Sequence, residues 1–504
     1  MPIPKEILAV ARPKNTVVHA YGKNKDHYSV VSRVGCKYQD GRRVPINGVT
    51  VGHIIDLTFI PIESNNNVSQ CEPDIKDWAN IKLCDDVFKN IKNELLKVYS
   101  NSDVDKIYCI SILRVCYHKI KDYELQGAYK KSFLSELYPD VALSKNTVSS
   151  FLNSLGQAYS KIVEYMNIRA ENVVFSDHVL VDSTLKSNES KVNSFSDFSR
   201  KARLKGSRDI SIIYAFDLEQ MEPICSKCFP GNRLDVCAYN EFITENKITK
   251  GLIVADKGFP ESASGGVFKK NQDLHYLNPI KRNSRFISIH SLYEYTEILE
   301  DFPNVTAKKA KCSGVNKWLY SYRDAEQAAK EEASWLAKVK KEKKYTVELH
   351  NKKQKSFGTI VLESDMDLSL SQIYKTYSKR WEIEIVMRYY KTACGFDETR
   401  VHDDYSVIGS EFCDFMSTIL TFRIIKAFDK SKLLEKFVYK RLMSILRRAK
   451  MIRYADKEWK AVGLLPYEKQ ILIDLKLLPP EEATTAETDE TAKRKRGRPR
   501  KTAA

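Results

Sequence analysis

One stretch of the chain concentrates side chains able to handle a phosphodiester. With residues placed at about 100° per position, Tyr377, Arg380, Glu384, Arg388 and Lys391 fall within an arc of about 80°. A helix here would present one carboxylate flanked by cations and a phenol. Ile383, Val386, Met387 and Tyr390 share a neighbouring face that can dock on a core. A solvated stripe held by Glu–Arg pairs is the structural alternative. Upstream, Asp182 closes the apolar run His178-Val-Leu-Val-Asp182 and is expected to project beyond a strand's carboxyl end. Open α/β sheets bind ligands at that edge, although turns and helix caps also use aspartate there. Asp256 closes Leu252-Ile-Val-Ala-Asp256, an unbroken run that predicts a central strand buried on both faces. An ionisable group in that position must be paired, capped or bound to metal. Asp217, ending ISIIYAFD, competes for the same role on local pattern alone. Three converging carboxylates suit a two-metal site for phosphoryl transfer, because hard divalent cations prefer oxygen ligands. The neighbouring Arg380, Arg388 and Lys391, together with Tyr377, would hold the nucleic-acid backbone that delivers the phosphate.

Other residues offer weaker chemistry. Cys225-Ser-Lys-Cys228 with Cys237 suggests zinc, but a fourth ligand at suitable spacing is missing and His275 is distant. Gly265-Gly266 lacks the lysine-serine context of a nucleotide loop and reads as a turn. Residues 493–501 (KRKRGRPRK) carry seven bases in nine positions. Their Arg496-Gly497-Arg498-Pro499 centre looks like an AT-hook. Arginine is drawn to the negative potential of a narrow minor groove, glycine permits close approach, and proline favours an extended backbone. A generic basic tail is the alternative.

The elements that must position these residues form an α/β pattern. Residues 1–70 are β-rich: 16–60 read as short strands punctuated by Gly22-Lys23-Asn24 and Asp40-Gly41-Arg42 turns. A meander that touches DNA and a small sheet decorating a larger domain are both open readings. Residues 71–170 are helical, with a capped helix from Ser144 that ends at Gly156 and a second helix over 157–170. A DNA-binding helix-turn-helix and two neighbours in a bundle both fit that pair. Strands and helices alternate over 171–270. Residues 271–370 read as strands plus one charged helix over 325–344, and 371–478 begin a long helix near Ser371 and continue as amphipathic helices to about 476. Residues 479–504 form a tail, in which 481–490 (EEATTAETDE) hold five acids and no large apolar residue, a disordered linker.

Composition agrees with a nucleic-acid partner. The 504 residues include 82 Lys and Arg against 65 Asp and Glu, a formal charge of +17, which favours nucleic acid over an anionic membrane. Hydrophobic residues at 43% and charged residues at 29% allow a sizeable core in two or three domains. No run approaches the roughly 18 apolar residues of a membrane span, and the N-terminal apolar run is short for a signal peptide. Eleven scattered cysteines suit reduced thiols in a cytosol. These features exclude an integral membrane protein and a disulfide-built secreted domain, and predict a cytoplasmic protein.

With these residues in order, the chain resembles the DDE transposases of bacterial insertion sequences, in the insertion-sequence-four superfamily, over about residues 10–476. That superfamily's signature is Tyr, two residues, Arg, three residues, Glu, six residues, Lys, and Tyr377, Arg380, Glu384 and Lys391 meet every spacing. The Asp182-Ser-Thr and Ala-Asp256-Lys-Gly-Phe contexts look like the family's first and second catalytic aspartates, the second differing mildly from the commoner Asp-Arg-Gly-Phe. The resemblance implies a ribonuclease-H-like core that binds two Mg²⁺ or Mn²⁺ ions through Asp182, Asp256 and Glu384. It implies a mostly β insertion in the 127 residues between Asp256 and Glu384. It also implies cut-and-paste transposition of double-stranded DNA by a homodimer assembled on terminal inverted repeats, in a bacterial, nucleoid-associated setting. Family members that pass through a hairpin hold a flipped base on an insertion tryptophan, for which Trp318 is the positional candidate, with a core tryptophan as the alternative. The rival readings are a domesticated, non-catalytic DNA-binding protein and a metal-dependent nuclease without strand transfer.

Overall fold

β-branched residues and hairpin turns organise the N-terminal stretch into an antiparallel meander. In the computed structural model, which describes residues 3–22, 27–39, 42–62, 73–174, 177–198, 208–233, 236–255, 261–380, 396–399, 401–454, 457–462 and 464–479, the chain divides into two compact units. Asp256, Glu384, Arg388, Lys391 and the tail carrying Arg496, Gly497, Arg498 and Pro499 lie outside the described residues. The first unit comprises residues 1–74 and 454–457. Its sheet runs β1 (Thr16–Tyr21), β2 (His27–Gln39), β3 (Arg42–Ile55), β4 (Thr58–Pro61), each strand paired with the next. Val18, Val30 and Ile54 make its small core, against which Ile7 of the short helix Lys5–Ala9 packs.

The second unit is built on a nine-stranded mixed sheet. Its strands are β6 (His178–Ser187), β7 (Asp209–Asp217), β8 (Glu222–Pro230), β9 (Gly251–Ala255), β10 (Leu274–Pro279), β11 (Glu297–Leu299), β12 (Phe302–Lys311), β13 (Trp318–Asp324) and β14 (Thr359–Ser364). They lie in the order β11-β12-β13-β14-β10-β9-β6-β7-β8. The β6-β7-β8 ladder is antiparallel, β9 and β10 run parallel to β6, and the remaining strands join antiparallel across β10 and β14. β9 is buried at every residue, as its unbroken apolar run requires. A separate three-stranded sheet has the order β16-β15-β5, from β5 (Asp74–Asp77), β15 (Lys450–Arg453) and β16 (Lys460–Val462).

Helices Ala79–Leu95, Asn101–Cys116, Lys145–Gln157 and Tyr159–Ala170 pack with one long helix, Asp404–Lys430, and with β8. The long helix is not amphipathic as expected; its buried residues run from Val407 to Phe428 around the whole circumference. Its Ser417, Thr418 and Thr421 hydroxyls donate to carbonyls four residues back, which satisfies them inside the core.

Three local expectations are corrected. Val347–Gln354 is a helix rather than a strand, because the Thr346 hydroxyl caps the Leu349 amide and His350 docks on Glu332. Gly265-Gly266 lies within the helix Glu261–Lys270 instead of a turn; partly buried Val267 and Phe268 anchor that helix to the core. Gly156 does not end its helix, which Ser144 caps and which runs to Gln157. It is a close-approach residue: a Cβ there would meet the Tyr405 carbonyl oxygen at 1.8 Å, and a Cβ at Gly409 would meet the Leu152 oxygen at 2.1 Å. Two glycines thus let Lys145–Gln157 and the long helix touch backbone to backbone.

Gly156→Ala and Gly409→Ala should each destabilise the fold by about 1–3 kcal/mol, the usual scale of overpacking. Chemical denaturation of the two variants checks this, and midpoints equal to wild type would show that the crossing has room for a methyl group.

Candidate active site

β6 is the strand on which the site is founded. Val179, Leu180 and Val181 are fully buried, and the following residues, Asp182 to Leu185, are half-buried. On one side β6 pairs with β7 throughout, from Val179–Asp217 through Asp182–Tyr214 to Ser187–Asp209. On the other side, among the described residues, it pairs with β9 from His178–Leu252 to Val181–Ala255. Further along, the Ser187 amide donates to the Asp397 carbonyl at 2.9 Å and Thr399 donates to the Ser187 carbonyl at 2.7 Å. Asp182 therefore does not end a strand, as expected from the sequence, because pairing with β7 carries β6 on to Ser187. Among the described residues the last register pair of the parallel ladder is Val181 and Ala255. Asp182 and Asp256 are the residues that follow this pair in the sequence. The Asp182 carboxylate accepts the Ser183 amide at 2.9 Å.

The competitor Asp217 has a structural task. It lies opposite Val179, three residues from Asp182 along β6, so it falls on the other face of the pleat. Its Oδ1 accepts the amides of Glu219 and Gln220, both at 2.8 Å, and closes the β7–β8 turn. Burial pushes its carboxyl above the ordinary aspartate value, opposed by those two amides.

The start of the basic stripe is buried. Residues 370–380 are helical, with Tyr377 5% and Arg380 8% exposed, and the guanidinium lies over the Tyr377 ring at 5.2 Å. The solvated-stripe alternative does not describe these two residues. Lys379, on the outer side, donates to Glu219 at 2.6 Å, and Glu219 also bonds His178 at 2.8 Å. This contact ties the helix to the β7–β8 turn.

Zinc does not fit the cysteines. Cys225 and Cys228 both belong to β8, opposite Ala215 and Ile212, and an odd spacing on a strand places them on opposite faces. Cys237 starts out in the helix Val236–Glu245, while His275 is occupied by Asp365 at 2.9 Å. Among the described residues no three His, Cys, Asp or Glu side chains form a metal-holding group. Trp318, at the start of β13, is half-buried with the Lys309 and Lys311 ammonium groups over its ring at 4.6 and 5.1 Å.

A buried ionic cluster beside β6 escaped the sequence reading. Lys186, with no exposed side-chain surface, donates to Glu411 at 2.5 Å and to Asp414 at 2.9 Å. Arg114 bonds Asp414 at 2.9 Å and Asp122 at 3.1 Å, and also reaches Ser410. Burial works against the Lys186 ammonium, but Asp414 and Glu411 outweigh it and hold its pKa above the usual lysine value. Burial also raises Glu411, and Lys186 pulls it back. The short contacts favour the ionised pair. The one signal in the sequence was Glu411 and Asp414 three apart in an otherwise apolar helix, where unpaired acids would be costly.

Residues 175–407 match the family model of the transposase DDE domain. A comparison with curated proteins gave no match. The family match supports a DDE transposase, and with it transposase activity, a DNA substrate and divalent-metal-dependent chemistry. The transposase match spans β6, β9 and the residues up to the start of the long helix. Asp182 offers the hard oxygen donor that such an ion prefers, one residue past the Val181–Ala255 register pair. No helix among the described residues is long and apolar enough to cross a membrane.

Lys186→Met should cost about 3–5 kcal/mol, the scale for stripping one partner from a buried ion pair. Urea denaturation checks the loss, and the double variant Lys186→Met with Glu411→Gln should lose clearly less than the two single losses combined. Additive losses would mean that the two side chains do not interact.

Proposed function

We propose that the protein is a cut-and-paste DNA transposase of the insertion-sequence-four type, with Asp182, Asp256 and Glu384 as its catalytic and metal-holding carboxylates. The observation that carries this reading is the DDE-domain match over residues 175–407, which contains all three acids in order. The register pair Val181–Ala255, immediately before both aspartates, supports a shared site for them. The order β8-β7-β6-β9-β10, three strands antiparallel and the last two parallel to β6, supports a ribonuclease-H-like core. Asp256 and Glu384 lie outside the described residues, so their roles rest on the match and the signature spacing.

Bound at these carboxylates, two Mg²⁺ or Mn²⁺ ions would stabilise charge on the attacked phosphate and on the attacking and leaving oxygens. The chain's own residues orient the DNA. Arg388 and Lys391 neutralise the backbone near the cut. Tyr377 and Arg380, packed on each other at 5.2 Å, position the phosphate backbone with them. In cleavage a water oxygen attacks the phosphorus and the 3′-oxygen leaves as a hydroxyl. In joining, that 3′-hydroxyl attacks a target phosphodiester and displaces another 3′-oxygen. Two ends must be processed together, so a homodimer on DNA fits, in a cytoplasmic, nucleoid-associated setting.

Glu384→Gln should retain binding to DNA bearing the inverted repeats that flank the gene while abolishing its Mg²⁺-dependent cleavage. The amide is nearly isosteric but lacks the charge that holds a hard cation. Undiminished cleavage in a gel assay would refute the role.

The tail is proposed as a second, AT-hook-like contact through Arg496, Gly497, Arg498 and Pro499. Ending the chain after Pro480 should spare cleavage and weaken binding to A·T-rich duplexes. Replacing Arg496 and Arg498 by Lys should keep the salt dependence yet blunt the A·T preference. Equal affinities of the full and shortened chains for A·T-rich and G·C-rich duplexes at matched salt would leave only a nonspecific basic end.

A further inference from the structure

The connection between β13 and β14 forms a groove that the catalytic reading does not use. It consists of the helices Ala325–Lys341 and Val347–Gln354, facing the short helix Arg285–Ile289 and the residues around it. Two open clefts of about 1050 and 700 Å³ share Arg282, Asn283 and Tyr293, so they form one continuous trough. Residues 325–356 contain nine lysines against five acids.

The placement of charge matters more than the count. Glu331 is taken up by Arg282, in a two-bonded pair at 2.9 and 3.0 Å, and by the Gly358 amide at 3.0 Å. Glu332 is taken up by His350 at 2.6 Å, and His350 stacks on Trp335 with ring centres 5.5 Å apart. These contacts fix the two helices to each other and to Arg282. They also occupy Glu331 and Glu332, which leaves Glu294 as the acid lining the trough against its lysines. Lys330, Lys352, Lys353 and Lys355 line it, all exposed. Among the described residues none of the four has a carboxylate within ion-pair distance. Four ammonium groups along a preformed trough, beside the aromatic Trp335 and Tyr293, match a polyanion with regularly spaced phosphates. A membrane surface fits poorly, because the trough is concave.

We infer that this trough holds duplex DNA by its phosphates, independent of sequence, as required of the DNA that receives the joined end. Lysine is a point charge on a flexible stem, so it grips backbone without reading base edges. The inference rests on the transposase reading for the identity of its partner, but the binding can be measured without any cleavage.

The test uses the full chain in chelator, with two unrelated duplexes that lack the flanking repeats, and follows binding by fluorescence anisotropy across a salt series. The variant Lys330→Gln, Lys352→Gln, Lys353→Gln, Lys355→Gln should lose about tenfold or more in affinity for both duplexes. The slope of log affinity against log salt should fall by about three to four, at roughly 0.9 per lost phosphate contact. The matching four-fold Lys→Arg variant should restore both, and equal thermal midpoints should show that the fold is unchanged. With Mg²⁺, the Gln variant should still cleave end DNA but join it poorly to a target. Unchanged affinity and slope would overturn the inference, whatever the cleavage assay shows. Lost affinity in a protein whose wild type never cleaves would leave the trough a DNA site and remove the transposase reading instead.

Discussion

Lys186 places a full positive charge where no water reaches, and much of the second unit is arranged around that constraint. An ammonium buried in this way is tolerable only if carboxylates meet it at hydrogen-bonding distance, because the cost of desolvation must be recovered locally. Glu411 and Asp414 do so from one turn of the long helix, and Arg114 then compensates the second acid from a different helix. The geometry is demanding. It fixes how β6 lies along the long helix, and it fixes the helix Asn101–Cys116 against both. Hydrophobic burial would hold these elements together without it, but would tolerate sliding by a residue or a turn. The charge cluster does not, since any slip leaves an ion unpaired.

That constraint bears on Asp182 because it shares a strand with Lys186. The two residues are four apart in β6, so they stand on the same side of the pleat, about 13 Å apart along the strand. The Lys186 end is pinned by charge, and the other end is pinned by pairing to β7 and β9. Asp182 sits between two fixed points, one residue past the Val181–Ala255 register pair. A half-buried carboxylate in a strand held at both ends has little freedom to relax. Such pre-organisation is what a site for charged ligands needs.

Much of this was legible in the sequence, and the failures have physical causes. The apolar runs of β6, β7 and β9 announced buried strands because a strand covered on both faces cannot alternate. The end of β6 was misread because Ser183, Thr184 and Lys186 look like the start of a loop. Antiparallel pairing to β7 overrides that local polarity, and Lys186 is buried through partners more than 200 residues away. The same long-range logic defeated the reading of Gly156, whose role depends on Tyr405 and Gly409. Tyr377 and Arg380 share the arc that helical periodicity gave them. Periodicity says which residues share a face, but not whether that face meets solvent or a core, and here it is covered. The cysteine pair failed for a simpler reason. A two-residue spacer suits a metal only in a turn, and β8 is a strand.

The continuity of the large sheet gives the trough its mechanical meaning. β10 pairs with β9 on one edge and with β14 on the other, and β14 pairs with β13. The helices that carry Lys330 and Lys352 are therefore bracketed by strands hydrogen-bonded, through β10 and β9, to the strand bearing Asp182. Had the lysines stood on a tethered domain, DNA held there would be kept near the carboxylates only by effective concentration, which falls with tether length and gives no orientation. A shared sheet instead sets one distance and one direction. DNA bound by phosphates alone can slide along its own axis, since those contacts repeat with the helix. It cannot readily rotate out of the trough without breaking several ion pairs at once. A surface of that kind leaves the choice of sequence open while constraining the angle at which a phosphodiester is presented.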